Sequence, residues 1–179
     1  MKIIGGINKI THIQSHFNIP LTKKIFNLRN RDDDALMDMS PYAAAIVRIF
    51  FKNNYQLSIN KINYQKTKYV KCFSIFCRND RISYFGNFGT ESEYISEVRF
   101  FSKKKIITIN HQAFALPSNI NIVVSIKEKN RINAVKFAKD DAIKNFIQGA
   151  LRAIKSKNYK MYYNNILADS KLREELRVK

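Results

Sequence analysis

The chain reads as an α+β domain: a meander of antiparallel strands, with one helix before it and two after it. Two features predict this. Between residues 57 and 128, short runs rich in β-branched and aromatic residues alternate with turns built from Asn, Asp, Gly and Lys. On either side of that region, residues 31–51, 138–155 and 162–177 repeat apolar side chains at helical spacing.

Taken in order, Gly5-Gly6 reads as a simple turn, since strand-like alternation follows it rather than a helix. Residues 10–19 alternate as a strand, with Ile13, Ser15, Phe17 and Ile19 on one side and His12, Gln14 and His16 on the other. Residues 23–31 form a basic connection that contains Arg29 and Arg31. The helix over 31–51 follows. Asp32, Asp33 and Asp34 place negative charge where a helix N-terminus favours it, and Leu36, Met39, Ala43, Ile46, Val47 and Phe50 commit one face to a core. Asp38 and Tyr42, four residues apart, share a face that can look into a pocket. Pro41, between them, lacks an N–H and is expected to kink the helix or mark a restart.

Strands are expected at 57–65, 68–78, 82–88, 94–101 and 105–109, with hairpin connections at Asn79-Asp80 and Ser102-Lys103-Lys104. Another strand, 120–128, follows Pro117-Ser118-Asn119. The helix over 138–155 gathers Ala142, Phe146, Ile147, Ala150 and Ile154 on one face, with Asp140-Asp141 near its start. The last helix, 162–177, has Ile166, Leu172 and Leu176 as its apolar stripe.

Composition narrows the function classes. A chain of 179 residues without a Pro- or Ser-rich linker is expected to form one domain, 1–179. It has no run of 18 apolar residues and no signal-like N-terminus, so a cytoplasmic protein without a membrane partner is expected. The formal charge of +18 invites a nucleic-acid reading. Against it, lysines outnumber arginines 22 to 10, the charges are dispersed, and the one run of three, Lys103 to Lys105, sits at a hairpin turn. No zinc-ligand spacing, aromatic RNA-binding motif or basic recognition helix accompanies them, so nucleic acid is not expected as the partner. Cys72 and Cys77 are five apart in one strand, face opposite sides and read as two buried thiols. His12 and His16 are about 13 Å apart by strand rise, too far to share a metal. The five glycines, at positions 5, 6, 86, 89 and 149, make neither GxGxxG nor GxxxxGK[ST], so the chain has no phosphate cradle of either kind.

Three segments resemble one family. ALMDMSPYAAAIVRIFF is similar to the GGGALxDLGxY/H segment in the C-terminal domain of the Gfo/Idh/MocA oxidoreductases, with Asp38 on the family's Asp and Tyr42 on its His-or-Tyr position. Upstream, IIGGINKITHIQSHFNIP resembles the strand that opens that domain. Downstream, NFGTESEYISEVRFFSKKKIITINHQAFALP resembles its hairpin. The resemblance implies an open, mostly antiparallel sheet with helices packed on one face, which binds a sugar or nucleotide-sugar and builds a homodimer through the exposed sheet. It implies catalytic roles for Asp38 and Tyr42 beside the carbon that exchanges a hydride with NAD or NADP. Arg29 and Arg31 are candidates for a phosphate or carboxylate of the substrate. It also implies an absence, because the family's N-terminal Rossmann domain has no counterpart here. The expected protein is therefore the substrate-binding part of an oxidoreductase. It binds no cofactor alone, is inactive without a nucleotide-binding half, and has a separate Rossmann-domain chain as possible partner. The alternative is a non-catalytic binding or dimerisation module. The family's three glycines fall on Asp32, Asp33 and Asp34, and a fourth on Ser40; carboxylates at the first three are expected to crowd the pocket and repel an anionic substrate.

Overall fold

The computed structural model describes residues 6–20, 34–51, 54–66, 68–90, 92–111, 113–114, 121–137 and 141–179. A 3-10 turn, Ile7–Lys9, leads into strand β1 (Ile10–Asn18). Helix α1 (Ala35–Phe51) is followed by β2 (Gln56–Asn63), β3 (Val70–Arg78), β4 (Ser83–Gly89), β5 (Ile95–Ser102), β6 (Lys105–Ile109), β7 (Val123–Glu128) and β8 (Arg131–Lys136). Helices α2 (Ala142–Lys155) and α3 (Lys160–Val178) close the chain.

The eight strands form one open sheet in the order β2-β3-β4-β1-β5-β6-β7-β8. It is not the simple meander expected. β1 enters between β4 and β5, pairing parallel with β4 and antiparallel with β5. The burial of β1 accounts for its central place. Ile10, Ile13, Ser15, Phe17 and Asn18 are all buried, which a strand achieves only with neighbours on both edges and a helix over one face. β8 was not expected from sequence. All but one of its residues are exposed, so it has no buried face to impose the alternation by which a strand is read.

α1 covers the inner face of the sheet and α3 covers α1. This explains why α1 is buried on two sides, with Leu36, Met39, Ser40, Val47 and Phe50 among its buried residues. Ala43 and Ala44 allow close approach at its centre. The helix continues through Pro41 as one element, without the restart that was the alternative to a kink. Pro41 and Met37 are both exposed, which places the Met37 carbonyl that loses its donor on the solvent side of the helix.

From α3, Leu172 and Leu176 enter the core and Arg48 Nε meets Asp169 Oδ1 at 2.7 Å, whereas Ile166 of the expected stripe is exposed. The stripe of α2 is not core either: Phe146, Ile147 and Ile154 are exposed. α2 ends in a Schellman arrangement, with Lys157 at φ 55 and backbone N–H groups of Lys157 and Asn158 donating to the carbonyls of Ile154 and Ala153. Both cysteines are thiols, but only Cys77 is buried; Cys72, on the outer face of β3, is half-buried.

Candidate functional site

The site begins at the first turns of α1. Asp34 Oδ1 accepts hydrogen bonds from the backbone N–H groups of Leu36 at 2.9 Å and Met37 at 3.2 Å, so this carboxylate caps the helix. Asp32 and Asp33, expected with it to crowd a pocket, lie outside the described residues. Ser40 is buried and its Oγ accepts from Arg173 Nε of α3 at 3.3 Å. A hydroxyl at this position serves the contact between the two helices.

Asp38 and Tyr42 lie one turn apart in different surroundings. Asp38 is exposed. Tyr42 is half-buried, its ring edge-on to Phe17 at 5.0 Å and tilted against Phe114 at 5.3 Å. Phe17, near the end of β1, is the hub of this cluster: Phe114 lies 5.2 Å from it and Tyr94 meets it edge-on at 6.5 Å. Phe88 closes the base against Phe114, and stacks on Phe73. Such a nest positions the Tyr42 ring by packing, because aromatic pairs favour these tilted and edge-on geometries.

The segment bearing Tyr94 is held from the core. Buried Asn18 donates through Nδ2 to the carbonyls of Ser92 at 2.5 Å and Glu93 at 3.1 Å, and Tyr94 follows directly, 44% exposed. An exposed tyrosine on an anchored segment, a half-buried tyrosine rooted in the cluster and an exposed carboxylate one turn from it are the aromatic and polar groups presented here. That combination suits a ligand with both a flat apolar face and hydroxyls. Sequence reasoning singled out Asp38 and Tyr42 but not Asn18, Tyr94 or Phe114. Their relation to Phe17 is made by strand register, β1 against β5, and by the segment after β6, and no local spacing encodes it. Arg29 and Arg31 lie outside the described residues.

A dinucleotide has no cradle among these elements. Gly86 and Gly89 are inside β4, where a Cβ would meet Ile75 and Cys72 side chains, and Gly149 is inside α2. Gly6, at φ 115, opens only the 3-10 turn. None of these four stands at a strand-to-helix turn whose N–H groups could hold a pyrophosphate. Among the described residues no three His, Cys, Asp or Glu side chains converge on a metal position. His12, on the outer sheet face, bonds through Nδ1 with Ser83 Oγ at 2.7 Å and packs on Phe101. Burial lowers its pKa, against a contribution from the Ser83 backbone, which raises it. No helix is long and apolar enough to cross a membrane among the described residues.

Solved structures share this architecture. The 3-ketoreductase KijD10 from Actinomadura kijaniata, in complex with NADP and TDP-benzene, superposes with a TM-score of 0.84 over 98% of this chain and 56% of its own, at 17% identity. The chain has the fold of about half of that enzyme. The open conformation of the same 3-ketoreductase gives 0.81 over 94% of this chain and 52% of its own, at 16% identity. The UDP-N-acetylglucosamine 3-dehydrogenase GnnA from Acidithiobacillus ferrooxidans gives 0.65 over 86% and 47%, at 15% identity. This chain therefore spans about half the length of the structures it resembles. No family model matches it, and no curated protein matches it in sequence.

Proposed function

We propose that this chain is the substrate-binding part of a Gfo/Idh/MocA-like oxidoreductase acting on a sugar or nucleotide-sugar, working with a nucleotide-binding half that supplies NAD or NADP. The observation that carries the reading is the near-complete coverage of this chain by half of KijD10, together with the lack of a dinucleotide cradle in these residues. The resemblance of 35–51 to the family's Asp-and-Tyr segment points the same way.

In this reading the aromatic nest binds the sugar. Tyr94 presents ring surface to its apolar face. The Tyr42 hydroxyl hydrogen-bonds the reacting oxygen and holds the proton that moves there, and Asp38 accepts from a neighbouring ring hydroxyl. Arg29 and Arg31 are assigned to the substrate's phosphates on sequence grounds alone. The outer sheet face supports a homodimer: Phe76 and Phe85, paired across β3 and β4, are both exposed there.

The test is calorimetric titration of the purified chain with TDP-benzene, a panel of UDP- and TDP-sugars, and NADP. A nucleotide-sugar is expected to bind and NADP is not, with Tyr42→Phe weakening the sugar about fivefold, the worth of one hydrogen bond. Tight NADP binding, or turnover of any sugar by the chain alone, overturns the proposal. A second reading, a binding or dimerisation module without catalysis, is favoured by the loss of the family's glycines at Asp32 to Asp34. Its mark is a stable dimer that stays inactive when a nucleotide-binding half is supplied.

A further inference from the structure

Helix α2 carries an unpartnered apolar surface. Ile143, Phe146, Ile147, Leu151 and Ile154 are between 51% and 69% exposed. At 100° per residue they fill one half of the helix, and Lys144, Asn145, Gln148, Arg152 and Lys155 fill the other. What α2 does touch is at its edge: Ala153 is buried, and a Cβ at Gly149 would stand 3.1 Å from the Tyr162 hydroxyl of α3. The apolar half is left open. A helix of 14 residues is marginal in water without a partner, so its persistence needs a cover for this face.

Charge says what kind of cover. No Asp or Glu occurs between Asp141 and Asp169, while Lys144, Arg152, Lys155, Lys157 and Lys160 are all exposed. A second copy would satisfy the apolar half but bring two uncompensated basic hairpins together. Tyr159 and Tyr163, both exposed, flank the start of α3 and add the amphipathic rings favoured at a lipid interface. A wide apolar half, a basic polar half and flanking aromatics are the requirements for a helix that lies in the surface of a bilayer without spanning it.

We propose that α2 lies on an anionic lipid bilayer, with Phe146, Ile147 and Leu151 among the acyl chains and the lysines at the headgroups. This is independent of the oxidoreductase reading. The chain contains no tryptophan, so Phe146→Trp gives a single fluorescent reporter on the face. The experiment mixes that variant with vesicles of phosphatidylglycerol and, separately, of phosphatidylcholine. The expected result is co-sedimentation and a blue shift with phosphatidylglycerol only, and at least about a tenfold fall in partitioning for Ile147→Asp. Ile147 is exposed, and far-UV circular dichroism checks that the variant stays folded. No binding to phosphatidylglycerol overturns the proposal and hands the face to an acidic protein groove. Binding without a blue shift, or undiminished in Ile147→Asp, overturns it as diffuse attraction to a basic surface. Self-association lost in Ile147→Asp, with vesicles ignored, assigns the face to a second copy.

Discussion

Ser15 Oγ and the Tyr84 hydroxyl stand 2.7 Å apart inside the core, tying β1 to β4 where the two strands run parallel. Both residues are buried, and the register that brings them together sets Ser15 opposite Gly86, one pleat from Tyr84. A hydrogen bond in such a place is costly to half-remove. Tyr84→Phe is expected to lower stability by about 1–3 kcal/mol, because the Ser15 hydroxyl is left without its partner. Ser15→Ala should cost a similar amount, and the double variant less than the two together. Urea unfolding of the four proteins checks this.

Gly86 is where that hydroxyl finds room. A Cβ there would collide with the Tyr84 hydroxyl and stand 2.7 Å from Phe88 and 2.8 Å from Ile75. Gly86→Ala is expected to cost about 1–3 kcal/mol by overpacking, with part of the loss recovered in combination with Tyr84→Phe. Thermal unfolding of the single and double variants decides it.

Alkaline stability should fall for a stated reason. Burial pushes the Cys77 thiol up to about 12, with Glu175 adding to the rise and Lys179 opposing it. Tyr84 is also pushed up, by burial first, against its Ser15 hydrogen bond. Above pH 9 the unfolded state releases these protons while the folded state keeps them, so stability is whole below that pH and declines as pH rises through about 12. Cys77→Ala should flatten the decline, as read from unfolding midpoints between pH 8 and 11. In the native state Cys77 should also resist alkylation at pH 8, because the thiolate is the reactive form.

Docking of α3 on α1 should depend more on leucine than on charge. Leu176 is fully buried, and Leu176→Ala is expected to cost about 2–5 kcal/mol. Arg48 and Asp169 are each about 30% exposed, so Asp169→Asn should cost less than about 1 kcal/mol. Comparable losses from the two variants would contradict this ranking; urea unfolding measures both.

If the outer face builds the dimer, Phe85→Glu should halve the sedimenting mass without lowering unfolding temperature. Phe85 is exposed on the outer face of β4, away from the buried side of that strand, so a charge there is expected to act mainly on association.

Much of the fold was written in local pattern. β1, β3 to β6 and α1 follow from period-2 and helical spacing, because each buries one face and burial imposes the period. The Asp34 cap was readable too, as an acid before an apolar helix. What local pattern could not carry was partnership. The insertion of β1 between β4 and β5, the covering of α1 by α3 and the gathering of Tyr42, Phe17, Tyr94 and Phe114 all join residues distant in sequence. The stripes of α2 and α3 look alike in sequence, yet Leu172 and Leu176 are core and Phe146 and Ile147 are not. An apolar face announces that it needs a cover; which surface provides one is settled only when the chain is folded around it.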